Sequence, residues 1–316
     1  MDKFFGIDTS NYTTSAACFW QGGAEQSRQM LPVKPGQLGL RQSDAVFHHV
    51  QQLPGVISPL LEKGERFSAV GVSVRPRDQE GSYMPCFTVG QGAARMLAQA
   101  WGIPCHGFSH QAGHIAAALY SCGRLDLAGR EFLAYHVSGG TTEAVLVRPD
   151  PQAVFSCTIV SASLDLKGGQ AVDRVGGMLG LAFPAGKELE RLARQSGREF
   201  SIRPSMKGRD FSLSGVENQC RAMIDRGEPR EDVAKFCLQA ILAALDTSCG
   251  LLQKEYPGLP VVFAGGVMAN RGIRDALTEK YGAFFADPEF SADNAVGAAV
   301  LAAMREGGIE GCSLPY

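Results

Sequence analysis

The chain lacks several features that would assign it quickly, and each absence excludes something. Its nine cysteines are an odd number and contain no Cys-x-x-Cys pair, which argues against both a disulfide framework and a zinc knuckle and favours reduced, mostly buried thiols. No apolar run approaches the ~18 residues of a membrane helix, and Met1-Asp2-Lys3 opens no signal-peptide core, so a cytoplasmic protein without a membrane partner is expected. A net charge of -2 over 316 residues gives no general attraction toward nucleic acid. Any polynucleotide substrate would have to meet a local basic patch or a helper protein.

One further absence bears on chemistry. "SHQAGHIAAALYS", residues 109 to 121, sets His110 and His114 four apart, which on a helix puts both imidazoles on one face where a single ion could bridge them. The zinc-hydrolase pattern would need Glu directly after the first histidine as general base, and here that residue is Gln111. That residue argues against hydrolysis by that route. What remains is a metal pair for other chemistry, or two surface histidines with no ion.

Repetition is present. "KFFGIDTSNYTTSAACFW" gives an apolar run, a Thr/Ser-rich turn and a second apolar run, and "EFLAYHVSGGTTEAVLVRP" repeats the grammar. Both place hydroxyls and backbone N–H groups at a strand-to-strand turn, an arrangement that holds phosphate in nucleotide-dependent folds built by duplication. Two related lobes facing a cleft are therefore expected. A third segment, "PVVFAGGVMANRGIRDALTEKYG", reads as strand, glycine turn at Gly265 and Gly266, then amphipathic helix, whose N-terminus suits an anion or a polar group. Between the hairpins, helices and strands alternate as α/β lobes require. "DAVFHHVQQLPGVISPLLEKG" reads as a helix interrupted by Pro54 and Pro59. Residues 232 to 254 read as one long core helix, and the apolar helix "AARMLAQA", 93 to 100, could supply a homodimer face or pack within its lobe.

In order, the motifs resemble those of the TsaD family, the threonylcarbamoyl transferases that modify adenosine 37 of tRNA, once described as glycoprotein peptidases. They are "GIDTS" at 6 to 10, "HVQQLP" at 49 to 54, "IPCHGFSHQAGHI" at 103 to 115, "VSGGTTE" at 137 to 143 and "GGQAVDRVGGMLGLAFPAG" at 168 to 186. "DFSLSGVEN" at 210 to 218, "AGGVMANRGIRDAL" at 264 to 277 and "SADNAVGAA" at 291 to 299 complete the series. The resemblance implies a duplicated, actin-like two-lobe α/β fold of the ribonuclease-H-like class. The expected lobes are 1–108, completed by 295–316, and 109–294, the second carrying both the adenylate and the metal site. It also implies that His110, His114 and Asp293 hold one divalent ion, iron, zinc or magnesium. His136 stands where the archaeal branch has a metal-binding tyrosine; it is either a further ligand or a strand histidine of the cleft wall. An adenine nucleotide or acyl-adenylate would lie with its ribose on Asp173 and Glu190 beside Gly186. Its phosphate would meet Ser138, Gly139, Gly140 and the Gly265-Gly266 turn, and its adenine or phosphate Asn270. Asp8, Ser10 and Ser138 are the candidate catalytic residues. The family works with a smaller inactive homologue and an ATPase, so protein partners of a tRNA-modification complex are expected besides tRNA.

The chain also departs from the family. Asn11, Tyr12 and Thr13 stand where two acidic residues are usual, Thr141-Thr142-Glu143 replaces His-Thr-Gln, Glu217 replaces a lysine, Gln170 a glutamate and Lys187 a proline. The loop "RPRDQEGSYMP" lacks the family's Gly-Pro-Gly. These changes fall on the acyl and RNA side more than on the nucleotide and metal side. Three functions follow: a tRNA threonylcarbamoyl transferase, a small-molecule carbamoyl transferase of the same fold, or a non-catalytic adenine-nucleotide-binding scaffold. Local RNA contacts would fall to Arg203, Lys207 and Arg209. Peptidase activity has no support, since no base or nucleophile is paired with the metal.

Overall fold

The apolar run that opens the chain forms β1 (Lys3–Ser10), which turns back as β2 (Thr13–Trp20) in full antiparallel register from Lys3↔Trp20 to Ser10↔Thr13. A computed structural model describes residues 2–10, 12–32, 40–61 and 64–309; Asn11 and the end of the expected 295–316 segment lie outside them. After β3 (Gly23–Met30) come α1 (Gln42–Leu61), β4 (Ala69–Arg75), α2 (Phe87–Trp101), β5 (Cys105–Ser109) and α3 (His110–Ser121). The first sheet has the order β3-β2-β1-β4-β5, with β4 and β5 added in parallel.

The pattern then repeats. β6 (Phe132–Val137), β7 (Thr142–Asp150) and β8 (Val154–Ala162) are followed by α4 (Gly168–Met178), α5 (Gly186–Ala193), the short β9 (Ser205–Lys207) and β10 (Asp210–Ser212), then α6 (Ser214–Asp225) and α7 (Arg230–Glu255). β11 (Val261–Ala264), α8 (Arg271–Tyr281), β12 (Phe284–Phe285) and α9 (Val296–Arg305) complete the described elements. The second sheet, β12-β11-β6-β7-β8, has the order of the first: three strands joined consecutively, then two added in parallel. The duplication read from the two hairpins is visible strand for strand.

Contacts divide the chain into a first unit, residues 1–131, 147–158 and 289–316, and a second, 132–146 and 159–288. The division differs from the expected one at 108 and 295. α3 and α9 pack on each other, and α9 packs on β1 and β4, so both helices, and Asp293 ahead of α9, belong to the first unit. The candidate metal residues therefore lie there rather than in the second lobe.

Two other expectations change. α1 runs unbroken through Pro54 and Pro59, whose rings are exposed, so the carbonyls they deprive of an N–H partner can face water. α7 is, by length and composition, apolar enough to cross a membrane, contrary to the reading that no run approaches that length. Its apolar face, including Phe236, Leu238, Ile241, Leu245 and Leu252, is buried in the second unit's core, as in a core helix. The segment 93 to 100 lies in α2, where Ala93, Met96 and Leu97 meet Val50 and Ile57 of α1 around an apolar groove of about 440 Å³.

Under the first hairpin, α1 buries His49 completely. Gln52 donates from Nε2 to the Met30 carbonyl at 3.1 Å, and Thr14 Oγ1 donates to Gln52 Oε1 at 2.8 Å. The Thr14 proton is thereby used, so His49 Nδ1, 2.8 Å away, is the donor to Thr14. Burial dominates the imidazole's titration and lowers its pKa from 6.5 to about 4. The unfolded chain thus takes up this proton first as pH falls. The histidine's contribution is complete above pH 6.5 and is lost progressively from 6.5 toward 4. We expect stability to fall by on the order of 2–3 kcal/mol through that window from this group. Denaturant melts at pH 7, 5.5 and 4.5 should show a shallower loss in His49→Asn than in wild type.

Candidate metal centre and nucleotide-binding turns

α3 begins at the right residue for a metal pair because Ser109 caps it. Its Oγ accepts from Ala112 N at 3.1 Å, so His110 is the first helical residue and His114 stands one turn later on the same face. Their rings are 4.3 Å apart, centre to centre. Asp293 arrives from the turn before α9. There Asn294 donates to the carbonyls of Phe290 (3.1 Å) and Ala292 (2.7 Å) and accepts from Val296 N (3.1 Å), stapling the turn and presenting its neighbour. Asp293 Oδ1 lies 3.4 Å from His110 Nε2 and 3.3 Å from His114 Nε2.

Ligand atoms of these three side chains all lie within 4.8 Å of one another, and among the described residues they are the group that could hold a metal ion. The donor set fits a divalent ion: two imidazole nitrogens and one carboxylate, with further coordination positions left for a substrate. Burial alone would favour a neutral Asp293, but hydrogen bonds from His110 and His114 outweigh it and hold the carboxyl well below its usual range. Burial likewise opposes a charged His110. Asp8 and Asp293 on either side prevail, and without an ion its pKa is raised to about 10. Ser10 shares a strand face with Asp8. Its Oγ is buried and has no hydrogen-bond partner among the described residues.

The meeting of α3 and α9 depends on glycine. A Cβ on Gly297 would lie 1.8 Å from the Gly113 carbonyl oxygen; one on Gly6 would lie 2.3 Å from Ala295 O, and one on Gly71 2.0 Å from Ala298 O. α9 thus rests directly on β1, β4 and α3. Ser73, Asn294 and Gly297 were not singled out in the sequence. The available signal was Gly297 four residues after Asp293 in an alanine-rich run.

In the second unit, β6 and β11 are parallel neighbours, Ala264 opposite His136, so the turns after both leave the same edge of the sheet, where ligands of open α/β sheets bind. The β6–β7 turn is closed by Ser138 N to Thr141 O (2.7 Å) and Thr141 N to Ser138 Oγ (3.1 Å), leaving Gly139 and Gly140 exposed. Gly169 N donates to Ser138 O at 3.0 Å, joining the start of α4 to this turn. Gly265, at φ 102°, presses on Val137, whose carbonyl oxygen a Cβ would meet at 2.3 Å; Gly266 stays open.

The remaining nucleotide candidates are partly engaged. Asp173 Oδ1 accepts from Ala185 N at 2.8 Å and so fixes the turn that presents Gly186. Glu190 Oε1 accepts from Arg194 and from Arg271 N. Asn270 Oδ1 caps α8 through Ile273 N at 3.0 Å, so only its amide nitrogen is available to a ligand. His136 lies on β6 in this unit and is not in the three-residue metal group. Glu217 is paired with Arg174 (2.9 Å) and Arg221 (3.4 Å), both more exposed than the carboxylate between them. Arg209 is paired with Glu255, which leaves Arg203 and Lys207 as the exposed members of the expected basic patch.

The family model of TsaD, tRNA N6-adenosine threonylcarbamoyltransferase, matches residues 32–300. The tRNA N6-adenosine threonylcarbamoyltransferase of Archaeoglobus fulgidus is 31% identical over 269 residues, 83% of this chain and 79% of its own. That of Lacticaseibacillus casei is 30% identical over 253 residues, 76% and 70% of the two chains. Among solved structures, HypF of T. kodakarensis aligns with a TM-score of 0.59 at 13% identity, over 97% of this chain and 47% of that one. Component A of the Acidaminococcus fermentans (R)-2-hydroxyglutaryl-CoA dehydratase aligns at 0.55 and 16% identity, over 98% and 99%. At these identities the structures speak to fold alone, and the fold is the duplicated actin-like α/β fold.

Two substitutions separate the ligands from their support. His114→Ala should lose bound metal while the metal-free protein stays folded. Gly297→Ala should lower metal content and thermal stability together, by about 1–3 kcal/mol or more, because the added methyl has no room against a backbone carbonyl. Metal analysis and thermal melts of both variants check this; full metal content in His114→Ala would refute the assignment.

Proposed function

The chain belongs to the TsaD family, and from that premise we propose that it transfers a threonylcarbamoyl group from threonylcarbamoyl-adenylate to N6 of adenosine 37 in tRNA. The observation that carries the reading is the complete His110, His114 and Asp293 set. A divalent ion bound there would act as a Lewis acid toward phosphate or carbamate oxygens, neutralising charge that grows as the adenylate leaves.

The chain's own groups would do the rest. The Ser138–Thr141 turn and the open backbone at Gly266 offer N–H and hydroxyl donors to the phosphate. Asp173 and Glu190 each keep one carboxylate oxygen for ribose hydroxyls, Gly186 leaves room for the sugar, and the Asn270 amide can donate to the base or phosphate. Ser10 Oγ can donate to the acyl group. The N6 amine then forms the new C–N bond at the carbamoyl carbon, the bond from that carbon to the phosphate oxygen breaks, and AMP departs with the electron pair as the amine loses a proton. Arg174 and Arg221, with the exposed Arg203 and Lys207, would supply phosphate contacts to RNA. Partner proteins of a modification complex would supply contacts that a nearly neutral chain does not.

Tyr12, standing where the family has an acid, favours a second reading: a paralogue that moves a carbamoyl group onto a small molecule. Supplying threonylcarbamoyl-adenylate and unmodified tRNA, with mass spectrometry of the nucleosides, distinguishes the two. Wild type should form the modified nucleoside, and His114→Ala should form it at least about 100-fold more slowly. Product only from Tyr12→Asp would assign the chain to the second reading. Absence of product from both, with adenylate bound, would leave the small-molecule transferase and the non-catalytic nucleotide-binding scaffold.

A further inference from the structure

His110 faces the metal group with Nε2, and its other ring nitrogen faces a carboxylate outside that group. Asp8, at the end of β1, is 1% exposed. Its Oδ2 accepts from His110 Nδ1 at 2.7 Å and from Ser73 Oγ at 2.5 Å, and its Oδ1 from Ser10 N at 2.8 Å. The donors come from three elements, α3, β4 and β1. The strand pairing makes this arrangement available: Ile7 lies beside Val72 in the parallel pair, so the next residues along, Asp8 and Ser73, lie side by side. A carboxylate this buried, with both oxygens already bonded to protein, is not placed to touch a substrate or take its proton.

We propose that Asp8 is the positioning residue of the metal centre: it holds His110 in the Nδ1–H form, turns Nε2 toward His114 and Asp293, and sets the affinity for a divalent ion. The proposal rests on the metal reading of that group and replaces the catalytic role expected for Asp8. Two physical effects act together. The hydrogen bond fixes the ring's tautomer and rotation, so ordering it costs nothing when the ion arrives, and it raises the basicity of the ligating nitrogen. A buried anion also attracts a doubly charged ion at Nε2 more strongly than the single proton that ion displaces, so Asp8 favours loading. Ser73 contributes by holding Asp8 in place, which links metal affinity to the alignment of β1 with β4.

Zinc titration of the metal-free full chain in competition with a chromogenic chelator tests this, for wild type, Asp8→Asn and Ser73→Ala. Asparagine keeps the size and an acceptor oxygen but loses the charge, and zinc affinity should fall about 10–100-fold. Ser73→Ala should weaken binding by a smaller factor in the same direction. Thermal midpoints of the metal-free proteins show which variants are folded. Unchanged zinc affinity in folded Asp8→Asn, whatever happens to turnover, overturns the proposal; if that variant does not fold, unchanged affinity in Ser73→Ala does so. A wild-type chain that binds no zinc, no iron(II) and no magnesium removes the metal reading itself, and the proposal with it.

Discussion

The absence of a side chain at three glycines, where α9 lies against the first sheet and α3, is the constraint on which the candidate site depends. Gly6 and Gly71 let the helix rest on β1 and β4, and Gly297 lets it cross α3 with backbone nearly touching backbone. Asp293 sits four residues before that crossing, so the distance between helices fixes the distance between carboxylate and imidazoles. A spacing wider by one methyl group would leave the histidines paired on α3 with no third ligand. Packing here is not background to the chemistry, because it selects which residues can share one ion. Interiors are dense enough that such a shift cannot be absorbed silently.

The second unit uses the same economy for a different end. Gly265 presses β11 against β6, and the turn after it leaves the sheet beside the turn after β6. Polar side chains there serve twice: Asp173 holds the Ala185 turn with one oxygen, Glu190 the start of α8, and Asn270 caps that helix. Groups so fixed cannot swing away. Preorganisation of this kind reduces the ordering cost of binding.

How much of this was legible in the sequence follows from the range of each interaction. Local signals were readable: the four-residue spacing of His110 and His114, the twin hairpins and the glycine turn at 265–266 depend on neighbours in the chain and appear as written. The duplicated strand order followed from the hairpins. What escaped was set by distant contacts. No spacing rule joins Asp8 to His110 across 102 residues, or Ser73 to Asp8 across 65. The domain division moved because α3 packs on α9 and so joins the first unit. Pro54 and Pro59 looked like breaks because propensity knows nothing of their exposed position, and α7, read as one long core helix, was not counted as a membrane-length run because Lys235 and Asp246 interrupt it. Glu217, read as a simple reversal of charge, is flanked by Arg174 and Arg221, so the three side chains together carry one net positive charge.

Charge also explains why the candidate metal centre would suit a divalent ion rather than a single proton or a monovalent cation. Asp8 and Asp293 are both held ionised, one bonded by three donors and the other between two imidazoles. With both histidines neutral, as ligation requires, the half-buried group and the buried Asp8 together carry two negative charges. One protonated His110 cancels half of that, and a monovalent cation would do no better. A divalent cation cancels all of it while every donor keeps a partner, since His110 Nδ1 still bonds Asp8 and its Nε2 exchanges a hydrogen bond for a coordinate one. Buried charge is costly unless balanced at close range. The arrangement of two carboxylates around one imidazole therefore favours an ion of charge two, and the open coordination positions leave that ion free to meet an anionic oxygen.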